Sequence, residues 1–245
     1  MISASDGERY LRQVAIDGFG LGGQERLSRA RVLVAGAGGL GSAVATYLAA
    51  AGVGFLRVVD QGIVELSNLN RQVAYTTRDI GKEKAAAMRD NLKRLNPGSR
   101  LEAVRAVMDA ESLPGLLEGM ELAVDALDNL PTRYALNRAC LDRGIPLAHG
   151  AVHGLMGQAM SVFPRRSACL ACLYGERAPA SETIPVLGAI PGIVGCIQAT
   201  EVIKILTGLG TPLAGRLLLF DGRDMRFTEV EVRRDPACPH CGGAP

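Results

Sequence analysis

Tryptophan is absent from this sequence, and aromatic residues make up only 4% of it. Apolar residues account for 48%, so a sizeable core is available, but it has to be aliphatic. A charge of one sign is missing too. Lysine and arginine number 27 against 25 aspartates and glutamates. No large field of one sign follows, and neither nucleic acid nor an anionic membrane is the expected partner. The opening MISASDGERYLRQ lacks the apolar centre of a signal peptide. The most apolar late stretch, Val186 to Leu206, is interrupted by Gln198, Glu201 and Lys204, and reads as a buried helix and not a membrane span. No internal repeat or low-complexity linker stands out. A cytoplasmic address is the expectation, and there six cysteines argue against disulfides and towards metal binding or reactive thiols.

What is present is an alternation of short apolar strands and longer helices. Strands are expected at 31–36, 55–60, 101–107, within ELAVDALDN (121–129) and in IPLAHGA (145–151). Helices are expected at 24–30, 40–51, 82–95, 109–118 and 131–143. Such alternation predicts a parallel sheet with helices on both faces. After residue 150 the pattern changes: GQAMSVF and GRLLLFDGRDMRFTEVEV read as antiparallel strands, with a helix over 192–207 between them. The fold expected is α/β: a Rossmann-like, mostly parallel sheet extended by antiparallel strands. We read residues 1–245 as one unit, with a nucleotide-binding half at 1–150 and a second half at 151–245.

The sharpest local signal is the turn between the first long strand and helix, where Gly36, Gly38, Gly39 and Gly41 fall together. Glycines there permit a tight turn and close backbone approach to phosphate, with helix N-terminal N–H groups aimed at anionic oxygens. Asp60, ending the next strand, suits ribose hydroxyls. These features fit NAD and ATP alike. Three further stretches separate the two. ELSNLNRQ offers Asn68, Arg71 and Gln72, a guanidinium and two amides suited to a triphosphate. GKEKA places Lys84 at a helix start. Asp128 and Asn129 lie at the carboxyl end of the fourth strand, where ligands of open α/β sheets bind and where an aspartate suits Mg²⁺. The plainer alternatives are solvated surface charges for Arg71 and Lys84, and a helix cap for Asp128.

Cys169 and Cys172 form CLAC, and Cys238 and Cys241 form CPHC. Two C-x-x-C pairs suggest a closed, structural Cys₄ zinc site tying the C-terminal tail back to the loop after residue 163. His240 lies between two of these cysteines, but four thiolates already complete a shell. Cys140 and Cys196 fall in helices and read as core residues. His149 and His153, near a strand end, read as structural histidines.

The order RYLRQ, GAGGLGS, VVD, LSNLNRQ, GKEK, LDN, TRY, CLAC, PGIVG and CPHC closely resembles the MoeB/ThiF/HesA family, bacterial relatives of ubiquitin-activating enzymes, over roughly residues 8–243. The resemblance implies ATP-dependent adenylation of the C-terminal Gly-Gly carboxylate of a small ubiquitin-fold sulfur carrier, of molybdopterin or thiamin type. An external sulfur donor then opens the adenylate to a thiocarboxylate. By position, Gly39 and Gly41 would cradle phosphate, Asp60 would hold ribose, Asn68, Arg71 and Lys84 would grip the triphosphate, and Asp128 would bind Mg²⁺. Arg12, in RYLRQ, would match an arginine that reaches into the partner subunit's site, implying a homodimer. One departure stands out: Ser181 occupies the position where the family usually carries a loop cysteine, and a hydroxyl is a far weaker nucleophile at neutral pH. Other readings are adenylation of a peptide or a modified tRNA base, a non-catalytic scaffold, and an NAD oxidoreductase.

Overall fold

The computed structural model describes residues 4–175 and 185–242. In chain order the elements are α1 (Ala4–Arg9), α2 (Leu11–Val14), α3 (Gly20–Arg29), β1 (Arg31–Ala35), α4 (Gly39–Ala50), β2 (Phe55–Val59), α5 (Lys84–Leu95), β3 (Arg100–Val104), α6 (Leu113–Leu116) and β4 (Leu122–Asp125). Then follow α7 (Leu130–Arg143), β5 (Leu147–His153), β6 (Met156–Val162), α8 (Leu170–Tyr174), α9 (Ala189–Thr207), β7 (Arg216–Asp221) and β8 (Arg226–Glu231). The strands form one sheet of order β3-β2-β1-β4-β5-β6-β7-β8. The first five run parallel and the last three pair antiparallel. The alternation read from the sequence, and its change after residue 150, are both present.

Each face of the sheet carries its own aliphatic core. On one side Leu40, Val44 and Leu48 of α4, Met88 and Leu92 of α5 and Val194 and Val202 of α9 pack on Val32, Val34, Leu56 and Val58. On the other, Leu113 of α6, Leu136 and Cys140 of α7 and Leu170 of α8 pack on Leu33, Ala35 and Leu147, beside Cys169, Cys238 and Cys241. Strands covered on both faces read as nearly continuous apolar runs, as β1 and β4 do. The expected core role of Cys140 holds: it is buried, and burial pushes its thiol pKa well above the usual value.

Among the described residues only α9 has the length and apolar composition of a membrane span. It lies against α4 and against β4, β5 and β6. Two of its polar residues are buried and bonded inward: the Gln198 amide donates to the Asp125 and Ala148 carbonyls, and Glu201 accepts from the Ser161 hydroxyl and the Leu213 N–H. Two expected elements are shorter than read. The helix expected at 109–118 shrinks to the single turn α6, because Pro114 and Gly115 fall inside it and the Asp109 carboxylate accepts the Glu111 and Ser112 N–H groups in a local turn. The strand expected at 101–107 stops pairing at Val104.

Candidate nucleotide and metal sites

The strand order reverses between β1 and β4, which opens a crevice at their carboxyl ends. Gly36, with φ +97°, turns the chain there. A side chain on it would place Cβ 2.6 Å from the Ala126 carbonyl oxygen, and one on Gly41 would lie 1.9 Å from the Gly36 carbonyl oxygen. Bareness at these two positions lets the turn, the start of α4 and the end of β4 touch. Gly38 is the α4 N-cap, and the first intrahelical bond runs from the Ser42 N–H to its carbonyl. The N–H groups of Gly39, Leu40 and Gly41 therefore have no acceptor within the helix, the arrangement that attracts phosphate. Gly39 itself sits under Pro191 of α9, with the Arg71 Cγ 3.6 Å from where its Cβ would be.

Around this turn the structure gathers most of the residues singled out in the sequence. Asp60 accepts the Ala37 N–H at 2.8 Å on one oxygen and the Gly62 N–H at 2.7 Å on the other, which fixes the carboxylate at the strand end. The alkyl chain of Lys84, at the start of α5, passes over Gly62 beside it. Gln72 is buried next to Gly38, and its Oε1 has no hydrogen-bond partner. An orphaned buried amide oxygen beside a phosphate-type turn fits a bound nucleotide. Arg71 is held by the Ser67 carbonyl and the Asn70 side chain, both at 2.9 Å. Asn68 is drawn partly into local structure: its Oδ1 accepts the Glu65 N–H and caps the short turn Leu66–Asn68. Tyr75 was not foreseen. It is buried and donates its hydroxyl to the Ala37 carbonyl at 2.8 Å, tying the Arg71 segment to the floor of the glycine turn.

On the β4 side, Asn129, and not Asp128, caps α7, accepting the Thr132 N–H at 3.0 Å. Asp128 is left exposed beside Asn129. Its turn is shaped from below by Asp125, whose Oδ1 accepts the Leu127 N–H at 3.1 Å, and by Arg133, which donates to the Leu127 carbonyl. Burial alone would push the Asp125 carboxyl up; the Arg133 guanidinium and the His149 ring outweigh it and hold it below the usual carboxylate range. His149 is fully buried and hydrogen-bonded, as a structural histidine should be, while His153 is exposed.

Arg12 is not brought to this cleft. Its helix α2 is anchored at the opposite end of α4: Gln13 donates to the Ala51 carbonyl at 2.8 Å, and the Tyr10 hydroxyl accepts from Asn96, which also donates to the Ala49 carbonyl. The twelve residues of α4 span about 18 Å, beyond the reach of an arginine side chain. Ser181 lies outside the described residues.

The four paired cysteines do converge. Their sulfurs all lie within 4.8 Å of one another, with Cys169–Cys172 at 4.0 Å, Cys169–Cys238 at 3.7 Å and Cys172–Cys241 at 3.4 Å. Disulfide sulfurs are about 2 Å apart. Four thiolates set tetrahedrally at about 2.3 Å from a zinc ion would be roughly 3.8 Å apart. The donor set and its spacing therefore fit such an ion. Burial opposes ionisation of Cys238, but the backbone N–H groups of Cys241 and His240 point at its sulfur and bring it down to about 7. His240 Nδ1 is turned to the Asn137 amide at 3.1 Å.

A doubly wound sheet with a phosphate-type glycine turn at its switch point, together with a four-cysteine cluster, has the layout of a nucleotide-binding α/β protein. The ThiF family model matches residues 10–240, and the chain belongs to the ThiF family. It is 46% identical to the SAMP-activating enzyme E1 of Haloferax volcanii, covering 98% of this chain and 91% of that one. It is 43% identical to the sulfur carrier protein adenylyltransferase of Thermus thermophilus, covering 97% and 92%. It is 38% identical to the molybdopterin-synthase adenylyltransferase of Escherichia coli, covering 99% and 100%. Among solved structures it is similar in fold to E. coli MccB crystallised with ATP, with a TM-score of 0.84 at 20% identity over 98% of this chain and 75% of that one.

Proposed function

We propose that this chain adenylates the C-terminal Gly-Gly carboxylate of a small ubiquitin-fold sulfur carrier, using ATP and Mg²⁺. What supports the reading is that the α4 N-terminus, Asp60, Arg71 and Lys84 lie around one glycine turn, with Asp128 following the adjacent strand β4, in a chain of this family. A carrier carboxylate oxygen attacks the α-phosphorus, the bond from that phosphorus to the bridging oxygen breaks, and acyl-adenylate and pyrophosphate result. No general base is needed, because the attacking group is already ionised. Both reactants are anionic, so the chain must supply positive charge: the α4 N–H groups, Arg71 and Lys84 grip the phosphates, and Asp60 accepts from the ribose. Mg²⁺ would neutralise phosphate charge, and Asp128 would hold it. The anchoring of Arg12 at the far end of α4 favours its action on a partner subunit's cleft, and hence a homodimer. Zinc on Cys169, Cys172, Cys238 and Cys241 would clamp the tail. We read residues 1–150 as the nucleotide half and 151–245 as the carrier and zinc half of one adenylation unit. With a serine at 181, the enzyme stops at the acyl-adenylate, and an external sulfur donor completes the thiocarboxylate. Isotope exchange between pyrophosphate and ATP, dependent on a carrier ending in Gly-Gly, tests the reading. Exchange that needs no carrier, or a fluorescence response to NADH in place of Mg-ATP, would replace it.

A further inference from the structure

An enclosed polar system lies beneath the cleft. Asp125 and His149 have no exposed surface. His149 Nδ1–H donates to Asp125 Oδ2 at 2.7 Å, and Nε2 accepts the Tyr174 hydroxyl at 2.8 Å. That hydroxyl in turn accepts from the Gln158 amide. Burial pushes the His149 pKa down and keeps the ring neutral, with one donor and one acceptor, as a link between a carboxylate and a hydroxyl requires. One end of the chain is Asp125, which sets the turn presenting Asp128. The other end is Tyr174, two residues beyond Cys172 in the same short helix. Helix α7 makes a parallel connection. Its N-terminus follows Asp128, and its buried Asn137 accepts the Leu170 N–H at 3.2 Å while its amide meets His240 at 3.1 Å. It thus grips both cysteine loops.

We propose that Asp125, His149 and Tyr174 are positioning residues that hold the Asp128 turn in register with the Cys169–Cys172 loop, so that a metal on the four cysteines sets how firmly that turn is held. The Mg²⁺ consequence rests on the adenylation reading above; the mechanical coupling does not. Packing alone does not call for this network, since replacing a buried ionic set by apolar side chains is often neutral or stabilising. The relay is paired from end to end, and the one other donor near the ring, Gln158 Nε2 at 3.5 Å from His149 Nε2, is itself held by Tyr174, so a shift at one end disturbs the bonds at the other.

Amide hydrogen exchange on the full chain tests the coupling. Stripping the cysteine metal with a chelator should speed exchange at the Leu127 N–H about 3–10-fold, the size of one lost hydrogen bond. Tyr174→Phe, with the four-cysteine metal retained, should do the same, and stripping should then add little. His149→Asn keeps an N–H for Asp125 and removes the acceptor for Tyr174; it should match Tyr174→Phe, and the double variant should not be additive. In parallel, Mn²⁺ binding with a non-hydrolysable ATP analogue, read by electron paramagnetic resonance, should weaken several-fold in both variants. An unchanged Leu127 exchange rate on stripping and in Tyr174→Phe, or additive effects in the double variant, overturns the relay. Mn²⁺ binding indifferent to Asp128→Ala overturns the site reading instead, so the two failures are separately visible.

Discussion

At the scale of single residues, the cleft divides into groups that meet the ligand and groups that hold them. On the function proposed above, Arg71, Lys84 and Asp128 are of the first kind. Alanine at any one of them should lower the rate of pyrophosphate exchange by on the order of 10²–10³, as removal of one transition-state contact does. Tyr75 is of the second kind. Tyr75→Phe leaves the Ala37 carbonyl without its buried partner, at about 1–3 kcal/mol. It should raise the KM for ATP more than it lowers kcat, which steady-state kinetics will separate. His149 and Asp125 make stability depend on pH. His149 binds its proton less readily when folded than at its ordinary value near about 6.5. The unfolded chain therefore takes up more protons, and stability is lost as pH falls from about 6.5. Asp125, depressed in the fold, adds a second loss below about pH 4. Urea denaturation midpoints should fall between pH 7 and about pH 5.5, and His149→Asn should remove that upper leg. Arg71, Lys84 and Asp128 could be singled out because their types and spacing carry the chemistry proposed for them. Asp125 and Tyr174 could not, and His149 read as a structural histidine without its partners, because each partner lies far along the chain and only the fold brings them together.

At the scale of elements, helix ends do most of the positioning. The α4 N-terminus supplies donors, its C-terminus anchors the arm bearing Arg12, and the α7 N-cap leaves Asp128 exposed. Strands and long helices could be read because apolar spacing and the glycine and proline stops agree with tertiary packing. The helix expected at 109–118 failed where propensity and pattern disagreed, at Pro114-Gly115. Short pieces such as α2 and α8 lack a period long enough to read, and are held instead by tertiary bonds and by the cysteine cluster. Metal analysis of protein purified without chelator should find one zinc per chain. Cys238→Ser or Cys172→Ser should abolish it, whereas substitutions of Cys140 or Cys196 should retain it.

At the scale of the whole molecule, the glycine turn and its cleft lie at one end of α4, and the helix bearing Arg12 is anchored at the other. The homodimer proposed above requires one subunit's Arg12 to act at the other's cleft. Arg12→Ala and Asp128→Ala proteins should each be nearly inactive alone, and mixing them with subunit exchange should restore about one working site per heterodimer. Full independence of the two lesions would remove the trans role. The family is legible in the order of motifs along the chain. The particular carrier is not, because the Gly-Gly tail is common to the class and its recognition lies in surfaces that have no sequence period. The most direct test of adenylation is pyrophosphate–ATP exchange with a ubiquitin-fold carrier and with the same carrier lacking its last two glycines. Mg²⁺-dependent exchange with the intact tail, and none with the truncated one, is the predicted result. Equal exchange with both, or none with either in zinc-loaded protein, would contradict it.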